Sequence, residues 1–405
     1  MELLSKLFYK DRGVWEREYR TRYESAYTTR LDFEIVERAG KPGNPAFFTA
    51  TPEVIGILVE ILRINRDVGI YCAELPPSAR EQIVRQSLIS ELTKTNSIEG
   101  VRSTRREIEE VLDAEKGERK KRFYGLAQKY KMLKEGKEIP LNNCEDLRRI
   151  YDDLVLAEVQ AEAPENVPDG RLFRKGPVTI LSPAQKPIHE GTLPEAKICQ
   201  QIETALAFLH NAPCDILYRI AIFHYLLEYI HPFYDGNGRL GRFLCSYLLS
   251  RRLDPVIAFH ISDVIEKNRT AYYKAFDVCS KWQNRGDLTP FLLMFLKIVR
   301  EAADGLRSSL LDDLTKLHFY RAQLSKLKIE KQTARDTCDF LLQATLFSEH
   351  RGATRTEIRR HFNIDREKAG TWLRRIPQRL LDTRRIEDRK YYSLDLRFLY
   401  SLPRS

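Results

Sequence analysis

The fold is decided by residues 222–252, which read IFHYLLEYIHPFYDGNGRLGRFLCSYLLSRR. The first nine of these residues are mostly apolar and predict a buried helix, which Pro232 ends because proline cannot continue helical hydrogen bonding. After this break, apolar side chains recur at the spacing of a second buried helix, at Leu240, Phe243, Leu244, Tyr247 and Leu248. The stretch therefore predicts two core helices joined by a short loop.

Helical periodicity also dominates the surrounding chain, from about residue 53 to about residue 345. Residues 177–181 (PVTIL) and 187–189 (PIH) differ, because a β-branched run, a Pro-containing turn and a second short run predict a β-hairpin. Residues 300–330 carry Leu310, Leu317 and Leu324 seven apart, a pattern too short for a coiled coil that instead predicts a connector helix. We expect a mainly α protein with one small projecting β-hairpin.

Length and composition limit the class of protein. The 405 residues suffice for two or three domains, and the 43% of hydrophobic and 31% of charged residues predict a folded chain. No apolar run approaches the roughly 18 residues that span a bilayer, and the charged start lacks the apolar core of a signal peptide. The 7 cysteines are scattered, which is typical of a reducing compartment. We expect a cytoplasmic protein with no membrane partner.

The loop between the two core helices contains residues suited to a phosphate. Gly236 and Gly238 give the backbone the freedom to direct N–H groups at an anion at the start of the second helix. Arg239 and Arg242 are three residues apart, so they lie on neighbouring parts of one helix face and can both meet phosphate oxygens. This spacing predicts an anion site at the start of the second helix.

Two more side chains of the loop suit chemistry on such a phosphate. Asp235 offers a hard oxygen ligand for Mg²⁺, and His231 is a base that titrates near neutrality. Each residue also has an ordinary interpretation, since a histidine before a proline can cap a helix and a DGNG run can form a turn. The Walker A pattern GxxxxGK[ST] is absent. The combination of these residue types favours chemistry on a nucleotide phosphate.

The motif HPFYDGNGR at residues 231–239, followed by Arg242, resembles the signature HPFx[D/E]GN[G/K]RxxR of the Fic family at each defined position. NRTAYYKAF at 268–276 and LTPFLLMFL at 288–296 are also similar to Fic domains, so the resemblance covers roughly residues 80–300. It implies a helical Fic core and an enzyme that transfers AMP from ATP to a Ser, Thr or Tyr hydroxyl of a protein. The resemblance implies ATP and Mg²⁺ but leaves the target open, and the target could be the protein itself.

The resemblance also assigns roles to the residues of the loop. His231 would deprotonate the target hydroxyl as it attacks the α-phosphate, and Asp235 would hold Mg²⁺ against the phosphates. Gly238 favours the branch of the family that transfers AMP over the branch with lysine at this position. The implied phosphate-binding residues are Gly236, Asn237 and Gly238 in an anion hole, with Arg239 and Arg242 on the β- and γ-phosphates.

The predicted β-hairpin corresponds to the flap on which Fic proteins dock a target segment as an added strand. The residues implied in this docking are Val178, Thr179, Ile180 and Ile188. The alternative is an ordinary surface hairpin.

Residues 95–100, TNSIEG, match the inhibitory motif [S/T]xxxE[G/N] of the family. Thr95 and Glu99 are four residues apart on one helix face, and Gly100 suits the position after a helix end. The resemblance implies that Glu99 pairs with Arg242 and displaces the γ-phosphate, so that the enzyme is auto-inhibited. Some relatives also use this glutamate to remove AMP from the target, and the sequence leaves that reverse reaction open.

His224 lies seven residues before His231 and raises the question of a metal site. No cysteine or carboxylate cluster with ligand spacing surrounds it. We therefore expect His224 to be a core histidine.

The last segment of the chain is its most basic part, with 15 Lys and Arg against 7 Asp and Glu in residues 351–405. Its order of three helices and a charged hairpin, with Asp365 capping the third helix, resembles a winged helix-turn-helix. The residues that could contact DNA phosphates are Arg366, Lys368, Arg374 and Arg375. The alternative is a winged helix used for protein contacts, and a homodimer also stays open.

These patterns predict five segments along the chain. They are an N-terminal helical region (1–78), an inhibitory helix segment (79–112), a Fic core (113–300), a connector helix (301–333) and a winged-helix domain (334–405). The leading function is auto-inhibited protein adenylylation. The alternatives are an ATP-sensing, DNA-binding transcriptional regulator, and an enzyme that transfers another group from a different nucleotide.

Overall fold

The computed structural model describes residues 2–37, 42–114, 122–181, 187–348, 350–386 and 388–403. Within these ranges the chain is mainly helical, as predicted, and its small sheets are antiparallel. None of the described helices is both long and apolar enough to cross a membrane.

The helices and strands follow one another in two compact units. The first unit comprises Met1–Asn65 and Ser87–Asp304, and the second comprises Arg66–Gln86 and Gly305–Ser405. The α-helices are α1 (Leu4–Lys10), α2 (Arg12–Glu24), α3 (Pro52–Glu74), α4 (Pro77–Ile98), α5 (Arg105–Leu112), α6 (Tyr124–Lys134), α7 (Cys144–Tyr151), α8 (Ala157–Glu162), α9 (Glu195–Asn211), α10 (Ile216–Ile230), α11 (Asn237–Ser250), α12 (Pro255–Ala258), α13 (Ile261–Lys267), α14 (Arg269–Ser280), α15 (Thr289–Ser325), α16 (Gln332–Phe347), α17 (Arg355–Phe362), α18 (Arg366–Arg374) and α19 (Leu396–Tyr400). The strands are β1 (Thr28–Ile35), β2 (Asn44–Thr49), β3 (Thr179–Leu181), β4 (Pro187–Glu190), β5 (Ala353–Thr354), β6 (Leu381–Ile386) and β7 (Arg389–Leu394). A π-helical stretch lies at Asp152–Leu156, and 3₁₀ turns lie at Pro164–Asn166 and Trp282–Asn284.

The two core helices predicted around Pro232 are α10 and α11, which pack against each other in the first unit. Asp215 begins α10 by accepting a hydrogen bond from the Leu217 amide at 2.8 Å. Both helices bury residues on nearly every face, which is stable only inside a protein core. The loop between them is therefore anchored at each end in the core.

The first unit also contains an N-terminal hairpin, β1 and β2, that the predicted helical N-terminal region did not include. Thr28 lies opposite Thr49, and Phe33 and Ile35 are buried on alternate positions of β1. This two-residue alternation is typical of a half-buried strand. The described part of the N-terminal region therefore combines α1, α2 and α3 with a hairpin at residues 28–35 and 44–49.

The predicted connector helix is the second half of a longer helix. The 37-residue α15 begins at Thr289, well before residue 301, and ends at Ser325, before residue 333. Only Gly305 weakens the helix between these ends, and one glycine costs about 1 kcal/mol, which a helix of this length tolerates. Leu310, Leu317 and Leu324 are all buried, in agreement with their seven-residue spacing.

The C-terminal part of the second unit contains the helices α16, α17, α18 and α19 and a three-stranded sheet of order β5-β7-β6. Its core is formed by apolar residues of α16, α17, α18 and β7, among them Leu341, Ile358, Leu373 and Leu394. Asp365 begins α18 by accepting a hydrogen bond from the Lys368 amide at 2.7 Å, as the sequence predicts.

Candidate active site

A cavity of about 350 Å³ lies in the first unit beside the loop that joins α10 and α11. The loop and the start of α11 contribute His231, Asp235, Gly236, Asn237, Gly238 and Arg242 to its wall. Val178, Thr179 and Ile180 line it from the hairpin, and Tyr272 and Tyr273 from α14. Most of the residues that the sequence predicts for the site therefore surround one hollow.

His231 is held in an orientation that leaves one ring nitrogen free. It ends α10 in the left-handed conformation, with φ +52°, and its amide donates to the Leu227 carbonyl at 3.0 Å. The ring Nδ1 lies 3.2 Å from the Glu228 carbonyl oxygen. Because that oxygen can only accept, Nδ1 carries the proton and Nε2 keeps its lone pair. Burial lowers the pKa of His231 to about 4, so the imidazole is an uncharged base at neutral pH.

Arg174 fixes this end of α10, a role that no local pattern in the sequence predicts. The side chain is fully buried, and its Nε donates to the His231 carbonyl at 2.8 Å. Its two other nitrogens donate to the carbonyls of Gly176 at 2.7 Å and Thr192 at 2.9 Å, on either side of the hairpin. Carbonyl groups at a helix C-terminus carry partial negative charge and favour a cation. Arg174 therefore ties the catalytic loop to the base of the hairpin.

The loop takes its shape from the stacked ring of Phe233, the side-chain amide of Asn237 and the backbone of Gly236. Phe233 stacks on Tyr151 with ring centroids 3.6 Å apart and is buried. The Asn237 side chain accepts from the Phe233 amide at 3.0 Å and donates to the Phe233 carbonyl at 2.8 Å. Gly236 has φ +81°, and a Cβ there would lie 2.8 Å from Val155. The Asn237 amide is thus occupied within the loop, so the groups left to meet an anion here would be backbone N–H groups of the first turn of α11.

Asp235 is placed to serve as a metal ligand. Its carboxylate lines the cavity, and its Oδ1 accepts a hydrogen bond from the Gly236 amide. No group of three or more His, Cys, Asp or Glu side chains within the described ranges could form a metal cage. A single carboxylate fits Mg²⁺, which takes its remaining ligands from substrate phosphates and water. Mg²⁺ at Asp235 would neutralise charge on a leaving pyrophosphate.

Arg242 is bound by two residues of the predicted inhibitory motif. The Glu99 carboxylate lies 2.8 Å from Arg242 Nη1. Arg242 Nε donates to the Thr95 hydroxyl at 2.8 Å, and Nη2 donates to the Thr95 carbonyl at 3.0 Å. α4 ends at Ile98, and Gly100 follows with φ +76°, so Glu99 leaves the helix directly above Arg242. Although burial opposes it, the charge of Arg242 lowers the pKa of Glu99, so the pair is ionised.

Arg239 does not line the cavity, which differs from its predicted contact with phosphate. Its Nη1 donates to Glu158 of α8 at 2.7 Å, and both side chains are buried. In this structure the Arg239 guanidinium is engaged with Glu158, and its contact with a phosphate stays a prediction. Arg239 therefore joins α11 to α8, and Arg242 is the arginine of the motif that faces the hollow.

Comparison with known proteins identifies the region that holds this site. Residues 142–249 match the Fic/DOC family. The chain contains a Fic/DOC domain. The matched residues include α10, the loop and α11, but not Thr95 and Glu99.

Proteins named "Protein adenylyltransferase Fic" match this chain over part of their length. The protein of Drosophila melanogaster is 31% identical over 109 residues, which cover 27% of this chain and 20% of the relative. The protein of Nematostella vectensis is 34% identical over 89 residues, which cover 22% of this chain and 19% of the relative. The chain thus spans about a fifth of the length of these curated relatives.

A solved structure shares the fold over most of the chain. A Fic family protein from Desulfovibrio desulfuricans superposes with a TM-score of 0.55 at 21% identity, covering 86% of this chain and 97% of that chain. At this identity the likeness concerns the fold alone, and it agrees with the predicted helical Fic architecture.

The hairpin predicted as a flap of the Fic/DOC domain is formed by β3 and β4. Thr179 lies opposite Glu190, and Ile180 lies opposite His189. The backbone of Ile188 belongs to β4, but its side chain and residues 182–186 lie outside the described part of the chain. Val178, Thr179 and Ile180 face the cavity, so the hairpin borders the hollow that contains His231.

His224 is a core residue, as predicted. Its Nε2 lies 2.6 Å from the Tyr272 hydroxyl, and the ring is buried among aromatic side chains of α14 and α15. Burial lowers the pKa of His224 to about 3, so it is uncharged at neutral pH.

Proposed function

We propose that this chain transfers AMP from ATP to the hydroxyl of a Ser, Thr or Tyr side chain of a protein target. The observation that carries the proposal is the single cavity in which the neutral base His231, Asp235, the start of α11 and Arg242 meet. The Fic/DOC domain and its matches to proteins named adenylyltransferases support the same chemistry. The target and the modified residue type stay open.

The transfer step assigns a proton acceptor and an anion-binding surface to residues of this chain. The hydroxyl oxygen of the target attacks the α-phosphorus of ATP, and its proton passes to Nε2 of His231. The new O–P bond forms as the bond between the α-phosphorus and the bridging oxygen breaks, and pyrophosphate leaves. The N–H groups at the start of α11 are oriented to stabilise charge on the phosphate oxygens. Arg242 would meet the terminal phosphates once Glu99 is displaced.

We also propose that β3 and β4 form the docking edge for the target. An extended segment that adds to this small sheet would lie beside the cavity, because Val178, Thr179 and Ile180 line it. Backbone hydrogen bonds bind such a segment with little dependence on its sequence. This placement would bring a hydroxyl of the segment to His231.

Glu99 would hold the enzyme inactive. The carboxylate occupies Arg242, whose charge the γ-phosphate of ATP would otherwise meet. ATP must then displace Glu99 or bind with its phosphates out of line with the attacking hydroxyl. Removal of AMP from the target by a water that Glu99 orients is a second proposed role for the same residue.

The decisive experiment is intact-mass spectrometry of the full chain after incubation with ATP and Mg²⁺. We expect the Glu99→Gly variant to add one adenylyl group to itself or to an added protein, and the double variant Glu99→Gly/His231→Ala to add none. Glu99→Gly/His318→Ala is the matched control, because His318 is exposed on α15. Addition of another group in parallel incubations with other nucleotides would show an enzyme of the third predicted kind, and MgATP binding by calorimetry without any addition would favour an ATP sensor.

A second candidate function concerns the C-terminal part of the second unit, which we propose to be a winged helix that binds DNA. Its basic side chains are exposed on α18 and on the β6–β7 hairpin, at Arg366, Lys368, Arg374, Arg375, Arg384, Arg385, Arg389 and Lys390. Some of them already have partners, since Lys368 Nζ lies 3.7 Å from Asp365 and Arg375 donates to Thr333. A protein-contact module remains the alternative.

Gel retardation of duplex DNA by the full chain tests this second proposal. Replacing Arg366 and Lys368 by alanine should weaken binding and reduce the salt dependence by about 0.9 in log–log slope per lost phosphate contact. Arg397→Ala is the control, because Arg397 is exposed on α19 outside the proposed DNA face. Absence of retardation at low salt would favour a module that makes protein contacts.

We further propose a cytoplasmic location, since all seven cysteines are free thiols.

A further inference from the structure

Glu228 is an acid of the cavity wall to which neither the motif nor the sequence analysis assigns a role. It lies on α10, three residues before His231, and lines the same hollow as Glu99, Gly238 and Arg242. Its backbone carbonyl orients the His231 ring, but its side chain points elsewhere in the site. The cavity therefore contains a second carboxyl besides that of Glu99.

The Glu228 carboxyl is packed against a glycine and lacks a partner. A Cβ added to Gly241 would lie 2.3 Å from Glu228 Oε1, so the carboxyl rests directly on the α11 backbone, one residue before Arg242. Glu228 Oε1 is buried, and no side chain or backbone group of the described residues hydrogen-bonds to it. A buried polar atom without a partner costs roughly 1–3 kcal/mol, which is tolerated where function needs the atom.

The titratable groups around Glu228 come from four segments of the chain. The segment after α4 contributes Glu99, α11 contributes Arg242 and the Cys245 thiol, and α14 contributes the Tyr272 hydroxyl. Tyr273 of α14 lines the same cavity. Its own helix contributes the two uncharged imidazoles of His224 and His231. Burial and the negative charge of Glu99 together raise the pKa of Glu228 to about 8, against the opposing effect of Arg242. At neutral pH the group is therefore a carboxylic acid.

We propose that Glu228 is a further phosphate-binding residue of the nucleotide site and that it works in its protonated form. The inference rests on the proposed function, because it requires a nucleotide phosphate to take the place of Glu99 beside Arg242. A carboxylic acid has one O–H donor, and its unpartnered position lets it donate to that phosphate. An ionised Glu228 would instead repel the phosphate at a site shielded from water.

Proton uptake on nucleotide binding follows from this exchange of charges. Removing Glu99 takes away the negative charge that raises the pKa of Glu228, while the positive charge of Arg242, which lowers this pKa, remains. A bound phosphate restores the negative charge, so Glu228 takes one proton from solvent as the nucleotide binds. Above the pKa of Glu228 in the nucleotide-free protein, the Kd for the nucleotide then rises about tenfold per pH unit.

Calorimetric titration of MgATP into the full-length Glu99→Gly variant tests the proposal. Titrations from about pH 6 to about pH 9, each in two buffers of different ionisation enthalpy, give both the Kd and the number of protons taken up. We expect uptake approaching one proton and a Kd that rises with pH. Glu99→Gly/Glu228→Gln should show a Kd independent of pH and no uptake, because glutamine is a permanently neutral donor. Glu99→Gly/Glu138→Gln is the matched control and should keep the pH dependence, since the Glu138 side chain is 82% exposed in a surface pair with Arg251.

The outcomes separate this inference from the proposed function. MgATP binding to Glu99→Gly with a Kd independent of pH, or a pH dependence that persists in the Glu228→Gln double variant, would overturn the role of Glu228 alone. Failure of the folded Glu99→Gly protein to bind MgATP at any pH would overturn the nucleotide site itself. The proton count in Glu99→Gly needs no change at Glu228, so the inference stays testable if the Gln variant does not fold.

Discussion

Replacing Glu99 by glycine should activate the enzyme by an amount that the Arg242 contacts allow us to estimate. The two side chains meet at 2.8 Å, with Arg242 2% exposed and Glu99 29% exposed. Breaking a buried ion pair costs about 3–5 kcal/mol. Because part of Glu99 is exposed to solvent, screening reduces this figure, and we take about 2–3 kcal/mol. At about 1.4 kcal/mol per tenfold, ATP that no longer has to displace Glu99 should react about 30- to 150-fold faster at subsaturating concentrations.

The assay is the initial rate of AMP incorporation into protein from ATP labelled at the α-phosphate. Wild type, Glu99→Gly and Glu99→Gln are compared at equal protein concentration, after circular dichroism has shown that they are folded. Glu138→Gly is the matched control, because it removes a glutamate from another arginine, Arg251, at 2.9 Å on the surface. Equal rates for wild type and Glu99→Gly, or an equal rise in Glu138→Gly, would refute the brake at Arg242.

Three further predictions concern His231, Glu158 and Glu228. His231→Ala in the Glu99→Gly background should cost about 10²–10⁴-fold in rate but preserve MgATP affinity by calorimetry. The rate of the Glu99→Gly protein with His231 intact should show no acid limb near pH 6.5, because burial lowers the pKa of His231 to about 4. Glu158→Ala should lower the free energy of unfolding by about 3–5 kcal/mol in denaturant titrations, because it leaves Arg239 buried without its partner. Glu228 has a pKa raised from 4.5 to about 8 in the folded state, so its proton favours folding, and its contribution to the stability of the wild type is lost as the pH rises from about 4.5 to about 8. Glu228→Gln lacks this pH-dependent contribution, so its Tm relative to that of the wild type should rise with pH. A Tm difference from wild type that does not change with pH would contradict the raised pKa of Glu228.

The sequence was sufficient for the two core helices and the loop, since these depend on local signals. An apolar run, Pro232 and a second periodic run fix where α10 ends and α11 begins. The Thr104 cap of α5 and the Asp365 cap of α18 are likewise local, and both form. Such features involve residues a few positions apart, so their physics can be read along the chain.

The missed features depend on residues far apart in sequence. Arg174 donates to the carbonyl of His231, 57 positions away, and Arg239 pairs with Glu158, 81 positions away. A lone arginine or glutamate has no periodicity that would reveal such a partner. For Arg239, the position in the motif is visible in the sequence, but Glu158 as its partner is not.

Two glycines of α11 explain why the site can hold both an inhibitor and a phosphate. A Cβ at Gly238 would lie 2.2 Å from Glu99 Oε1, and a Cβ at Gly241 would lie 2.3 Å from Glu228 Oε1. Glu99 therefore occupies the space above the first turn of α11, where a phosphate would meet the helix N–H groups. Neutralising Glu99 would not empty that space. We therefore expect Glu99→Gln to activate less than Glu99→Gly, because glutamine removes the charge but keeps the volume, and equal activation by both variants would mean that charge alone sets the brake.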